Sequence, residues 1–125
     1  MKQKQILLVE DDAFLVDIYT TKLNEEVFAV EVAKTGEEAL KKLEKIKPDL
    51  ILLDIVLPGI DGWEILKKVK ADPKLKNIQV VILSNLGRKE EVEKGLNLGS
   101  VKYLVKANYT PTEVVEEIKL LFKNE

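Results

Sequence analysis

The chain has 125 residues, 46% hydrophobic and 34% charged, with 20 Lys and Arg set against 22 Asp and Glu for a net charge of -2. That is the balance of one soluble domain with one core, and it offers no basic cluster for nucleic acid or an anionic membrane. Cysteine and histidine are both absent, which excludes disulfides, thiolate or imidazole metal sites, cysteine nucleophiles and any Ser-His-Asp arrangement.

Chemistry is therefore left to carboxylates, hydroxyls, lysine, arginine and backbone amides. No signal peptide is visible, because the apolar run at Leu7 to Val9 is short and Glu10 follows at once. No segment is long enough to span a bilayer, and the expected compartment is the cytoplasm.

In chain order, Gln5 to Val9 reads as a short apolar strand that stops at Glu10-Asp11-Asp12. Ala13 to Asn24 carries Leu15, Ile18, Tyr19 and Leu23 at helical spacing, with Asp12 placed to cap the helix. Val27 to Ala33 is valine-rich and reads as a second strand. Thr35-Gly36-Glu37-Glu38 resembles a capping box, and Ala39, Leu40, Leu43 and Ile46 give the inner face of a helix that Pro48 ends.

Leu50 to Leu53 is a continuous aliphatic run leading into Asp54, with Pro58 and Gly59 soon after. Such a run reads as a strand buried on both faces of a parallel sheet. Asp61 and Glu64 start a third helix, whose Ile65, Leu66 and Val69 point inward and which ends at Asp72-Pro73. Gln79 to Leu83 is a fourth strand running into Ser84-Asn85. Glu90 to Leu98 is the poorest helix, with Val92, Leu96 and Leu98 as its chief anchors and Gly95 inside it. Gly99 is its natural end. Val101 to Val105 is a fifth strand closed by Lys106, and Thr110-Pro111-Thr112-Glu113 opens a last helix with Val114, Val115, Ile118, Leu121 and Phe122 inside.

Five strands alternating with five helices imply one α/β domain over 1–125, a doubly wound parallel sheet with helices on both faces. All strand C-termini of such a sheet lie on one edge, where ligands bind. Glu10, Asp11 and Asp12 follow the first strand, Asp54 the third, Ser84 the fourth and Lys106 the fifth. Carboxylates gathered in this way call for a cation, and Mg²⁺ suits an all-oxygen site that also takes a phosphate. Asp54 is the expected chemical centre.

The chain resembles the receiver domain of two-component response regulators along its whole length. The matching pieces are Leu7-Leu8-Val9-Glu10-Asp11-Asp12, the run from Leu53-Asp54-Ile55-Val56 through Pro58 to Asp61-Gly62, Leu83-Ser84, and Lys102-Tyr103-Leu104-Val105-Lys106. The resemblance implies a flavodoxin-like fold of strand order 2-1-3-4-5 and a signalling domain rather than an enzyme acting on a separate substrate. It implies that Asp54 accepts phosphate from a sensor histidine kinase or phosphotransfer protein. It further implies Asp11, Asp54 and the Val56 backbone carbonyl as Mg²⁺ ligands, with Glu10 acting through water. Lys106 would pair with the phosphoryl oxygens, Ser84 would be the switch hydroxyl and Tyr103 the switch aromatic. In that switch Ser84 is drawn toward the phosphoryl group and the Tyr103 ring turns toward the core. The surface of the fourth helix, fifth strand and fifth helix then changes shape for a downstream protein or a second copy.

Ala107 departs from the family, which often has a cis-bonded proline after the lysine. The sequence leaves open the isomer of the Lys106–Ala107 bond and whether Asp12 is a cap, a metal neighbour or neither. Two other classes fit the pattern less well. A haloacid-dehalogenase-type phosphatase would place Asp-x-Asp after its first strand, whereas here Ile55-Val56 follows Asp54. A degenerate receiver that never takes phosphate would not need the intact Glu10, Asp11, Asp54 and Lys106.

Overall fold

The computed structural model describes residues 3–123; of the expected domain, residues 1, 2, 124 and 125 lie outside the described residues. Its elements are β1 (Gln5–Val9), α1 (Ala13–Glu25), β2 (Ala29–Ala33), α2 (Gly36–Leu43), β3 (Leu50–Leu53), α3 (Gly62–Ala71), β4 (Gln79–Ser84), α4 (Lys89–Asn97), β5 (Lys102–Val105) and α5 (Pro111–Lys123). The five strands form one sheet in the order β2-β1-β3-β4-β5, and every neighbouring pair is parallel. This is the expected fold.

Alternation along the strands divides the core in two. Leu7, Val9, Ile51, Leu53, Val80 and Ile82 face α2 and α3, meeting Ala39, Leu43, Ile65, Leu66 and Val69. Ile6, Leu8, Leu50, Leu52, Val81, Leu83 and Leu104 face the other way, onto Tyr19 and Leu23 of α1 and Val114, Val115 and Ile118 of α5. All four residues of β3 are buried, as the unbroken aliphatic run requires of the central strand. Each such side chain contributes about 1.5–3 kcal/mol on leaving water.

The helix starts follow from their caps. Asp12 accepts from the amides of Phe14 and Leu15, Thr35 from Glu38 and Asp61 from Glu64. Thr110 and Glu113 form a full capping box, with Glu113 N donating to Thr110 Oγ1 at 3.1 Å and Thr110 N to Glu113 Oε1 at 2.8 Å. At the end of α4, Gly99 N donates to Leu96 O and Ser100 N to Gly95 O, with Gly99 at φ +114. That is a Schellman closure, as expected of Gly99.

Four expectations need correction. Val27 is not in a strand: its φ is 65 and it is 73% exposed, because the chain makes a left-handed turn out of α1 before β2 starts at Ala29. The second helix stops at Leu43 rather than running to Pro48, its last turn tightening as Glu44 N and Lys45 N donate to Lys41 O and Lys42 O. Proline restrains the residue before it away from helical backbone, so the connection straightens ahead of Pro48. Val101 is exposed and lies outside β5. Leu96 is 45% exposed and is not a buried anchor; the one buried residue of α4 is Gly95. A short 3-10 turn over Lys106–Asn108, not expected, joins β5 to the loop before α5.

Candidate functional site

Two backbone hydrogen bonds extend the sheet one residue beyond its strands. Glu10 N donates to Ala33 O and Asp54 N to Val9 O, both at 3.0 Å. These bonds carry the acids after β1 and β3 to the same edge. Glu10 and Asp54 are nonetheless buried, with 2% and 6% of their surface exposed. Asp11 is exposed beside them. One carboxylate oxygen from each of Glu10, Asp11 and Asp54 can be chosen so that all lie within 4.8 Å of one another.

Lys106 reaches into this group from the end of β5. Its Nζ lies 2.7 Å from Glu10 Oε1 and 2.8 Å from Asp54 Oδ2. The Lys106–Ala107 bond is trans, so a proline is not required for the lysine to reach the carboxylates. The remaining oxygens are held by backbone: Asp12 N donates to Glu10 Oε2 at 3.1 Å and Val56 N to Asp54 Oδ1 at 3.2 Å. Asp12 itself turns to the helix as its cap.

Burial raises the Glu10 carboxyl above its ordinary value, against the opposing bonds from Lys106 and the Asp12 amide. Burial pulls the Lys106 ammonium down, but hydrogen bonds to Asp54 and Glu10 and their charges outweigh it, and the net shift is upward. The sign follows from linkage: a raised lysine contributes stability at every pH below its unfolded value, lost only as pH climbs through the folded one. One ammonium among three carboxylates leaves the edge with excess negative charge, and a hard divalent cation with oxygen ligands is the chemical complement. The donor set of three carboxylates, with no soft or imidazole ligand, fits Mg²⁺.

Ser84 closes β4 and is fully buried, its Oγ accepting from Leu86 N at 3.3 Å. Tyr103 donates from its hydroxyl to Leu86 O at 2.6 Å. Ser84 and Tyr103 thus grip the same residue of the loop leading to α4. The Tyr103 ring packs, partly buried, on the core face shared with Ile82. Burial raises the Tyr103 phenol, with Glu91 adding to the shift and a Ser84 side-chain bond opposing it. Val56 is exposed on the loop after Asp54.

Two residues escaped sequence reasoning. Leu86 enters through its backbone, which side-chain identity does not advertise. Tyr19 is a core residue by periodicity. Its phenol is raised by burial and feels Lys106, Glu10 and Asp54, so it lies within the field of the site.

Comparison with known proteins agrees with this geometry. Residues 6–119 match the model of the response regulator receiver domain. A probable transcriptional regulator, ycf29 of Porphyra purpurea, is 39% identical over 93% of this chain and 55% of its own length. The alkaline phosphatase synthesis transcriptional regulatory protein PhoP of Bacillus subtilis is 37% identical over 96% of this chain and 49% of its own. The chain thus spans about half the length of the curated relatives it matches. Among solved structures, the Francisella response regulator 1452 receiver domain superposes with a TM-score of 0.89 at 30% identity, covering 98% of both chains. No described helix is long and apolar enough to cross a membrane.

Proposed function

The chain belongs to the response regulator receiver domain family, whose function is phosphorylation-driven switching, and on that footing we propose that Asp54 is its phosphoacceptor. The observation that carries the assignment is the Lys106 ammonium within 2.8 Å of both Asp54 and the buried Glu10. A carboxylate oxygen of Asp54 forms a bond to phosphorus as the bond from phosphorus to the donor, a phosphohistidine nitrogen, breaks. The transferring group carries charge on its equatorial oxygens, so catalysis is mainly positioning and electrostatics. Lys106 supplies fixed positive charge, and its raised pKa keeps it protonated at neutral pH. Val56 N and Lys106 orient the Asp54 carboxylate.

Asp11, Asp54 and the Val56 carbonyl are the residues that would hold Mg²⁺, with Glu10 acting through water. When bound, the ion supplies charge that offsets the crowded acids and the phosphoryl oxygens. Ser84 donates to a phosphoryl oxygen, releasing Leu86 N and pulling on the loop that Tyr103 also holds. The output passes through the face of α4, β5 and α5 to a downstream protein or a second copy of this chain. The donor is a sensor histidine kinase or phosphotransfer protein of the cytoplasm.

Mg²⁺ titration and acetyl phosphate labelling test this reading. Mg²⁺ should bind in the absence of phosphate, and Asp11→Ala or EDTA should abolish labelling. Unchanged labelling under either condition overturns the assigned site.

A further inference from the structure

The sequence marks Gly95 as a weakness of α4, but its surroundings give it a task. A Cβ built at Gly95 falls 2.7 Å from Tyr103 Cδ2 and 2.7 Å from Ile82 Cδ1, with Tyr103 Cε2 at 3.1 Å. Contacts below 3.0 Å do not persist, so any side chain here must displace its neighbours. The Ile82 methyl is a chain end and can rotate. The Tyr103 ring is rigid, and its far end is tied to Leu86 O at 2.6 Å. The ring therefore occupies a slot that exists because α4 has hydrogen in place of a methyl at this position. Gly95 is also the single buried residue of α4, so this is where the helix seats on the sheet.

We propose that Gly95 is a positioning residue for Tyr103: it holds the ring inward before phosphorylation, so the α4–β5 face starts in the ring-in arrangement and phosphorylation strengthens it. The proposal rests on the phosphoacceptor reading above. The ring's hydroxyl and the Ser84 hydroxyl share Leu86 as their partner, through its carbonyl and its amide. A phosphoryl group that engages Ser84 therefore acts on a loop that the inward ring already restrains. If Gly95 biases the ring inward, and the phosphoryl mimic binds that state better, removing the bias must weaken the mimic by the same coupling.

Nuclear Overhauser contacts in the wild-type chain, free of Mg²⁺ and beryllofluoride, give the first readout. Tyr103 ring protons should contact the Gly95 α-protons and the Ile82 δ-methyl, and their absence overturns the proposal without any variant. Gly95→Ala should then lose the Tyr103–Ile82 contact and bind beryllofluoride, with Mg²⁺, about five-fold or more weakly. In a Tyr103→Ala background the same Gly95→Ala change should leave beryllofluoride affinity unaltered, a result that a merely structural role would not produce. A beryllofluoride response in the wild type with equal affinity in Gly95→Ala overturns this inference alone. No beryllofluoride response in the wild type overturns the phosphoacceptor reading and this inference with it.

Discussion

Helices α4 and α5 flank the same edge of the sheet on opposite faces, yet they are attached in different ways. Helix α5 buries Val114, Val115 and Ile118 against the core and starts with a complete capping box. Lys102 of β5 ties it further through Glu117 at 3.0 Å. Helix α4 buries Gly95 alone. Its start has half a box, Arg88 N donating to Glu91 Oε1 at 3.0 Å, because an arginine side chain has no acceptor to return the bond. Beyond Gly95 it is held by its Schellman end, by the partly buried Leu98 of its C-cap packed on the core, and by Lys94, whose ammonium sits 4.4 Å from the centre of the Trp63 ring on α3. An element held by so few buried apolar contacts is one that shifts at low cost. The difference assigns α5 to the scaffold and α4 to the moving part of the output face.

The largest effect that sharpens this contrast is on α5. Ile118→Ala should cost about 2–5 kcal/mol in urea unfolding, because Ile118 is fully buried and its loss leaves a cavity. A cost below about 1 kcal/mol would mean α5 is no better seated than α4. Next is the cap: Thr110→Ala should cost about 1 kcal/mol, while Arg88→Ala stays near zero, and equal costs would erase the contrast between the two helix starts. Lys102→Ala should cost less than about 1 kcal/mol and lose that cost in high salt, as a partly exposed ion pair does. Smallest is Leu96→Ala on α4, within about 0.5 kcal/mol because the side chain is nearly half exposed and fills no buried site. A cost rivalling that of Ile118→Ala would break the comparison outright. Hydrogen exchange supplies the kinetic counterpart, with α4 amides opening before those of α5.

The same two helices show which features sequence makes legible. The start of α5 was readable because Thr110, Pro111 and Glu113 are neighbours in the chain and their chemistry is local. The starts at Asp12, Thr35 and Asp61 were readable for the same reason. The convergence of Glu10, Asp11, Asp54 and Lys106 was readable because parallel topology sends every strand end to one edge. What failed was tertiary. Leu96 fits a helical period but α4 turns it outward, and Gly95 looks like a defect until the Tyr103 ring is seen against it. Val27 has strand propensity, but the exit from α1 puts it in left-handed backbone. The grip of Ser84 and Tyr103 on Leu86 runs through main-chain atoms that every residue carries, so no pattern of side chains announces it.

Whether Asp54 takes the phosphoryl group is read from intact mass after incubation with acetyl phosphate and Mg²⁺. The expected result is a gain of one phosphoryl group that alkali removes, as it removes an acyl phosphate, and that Asp54→Asn fails to acquire. An adduct that persists in Asp54→Asn, or one that survives alkali as an ester of Ser84 would, contradicts it.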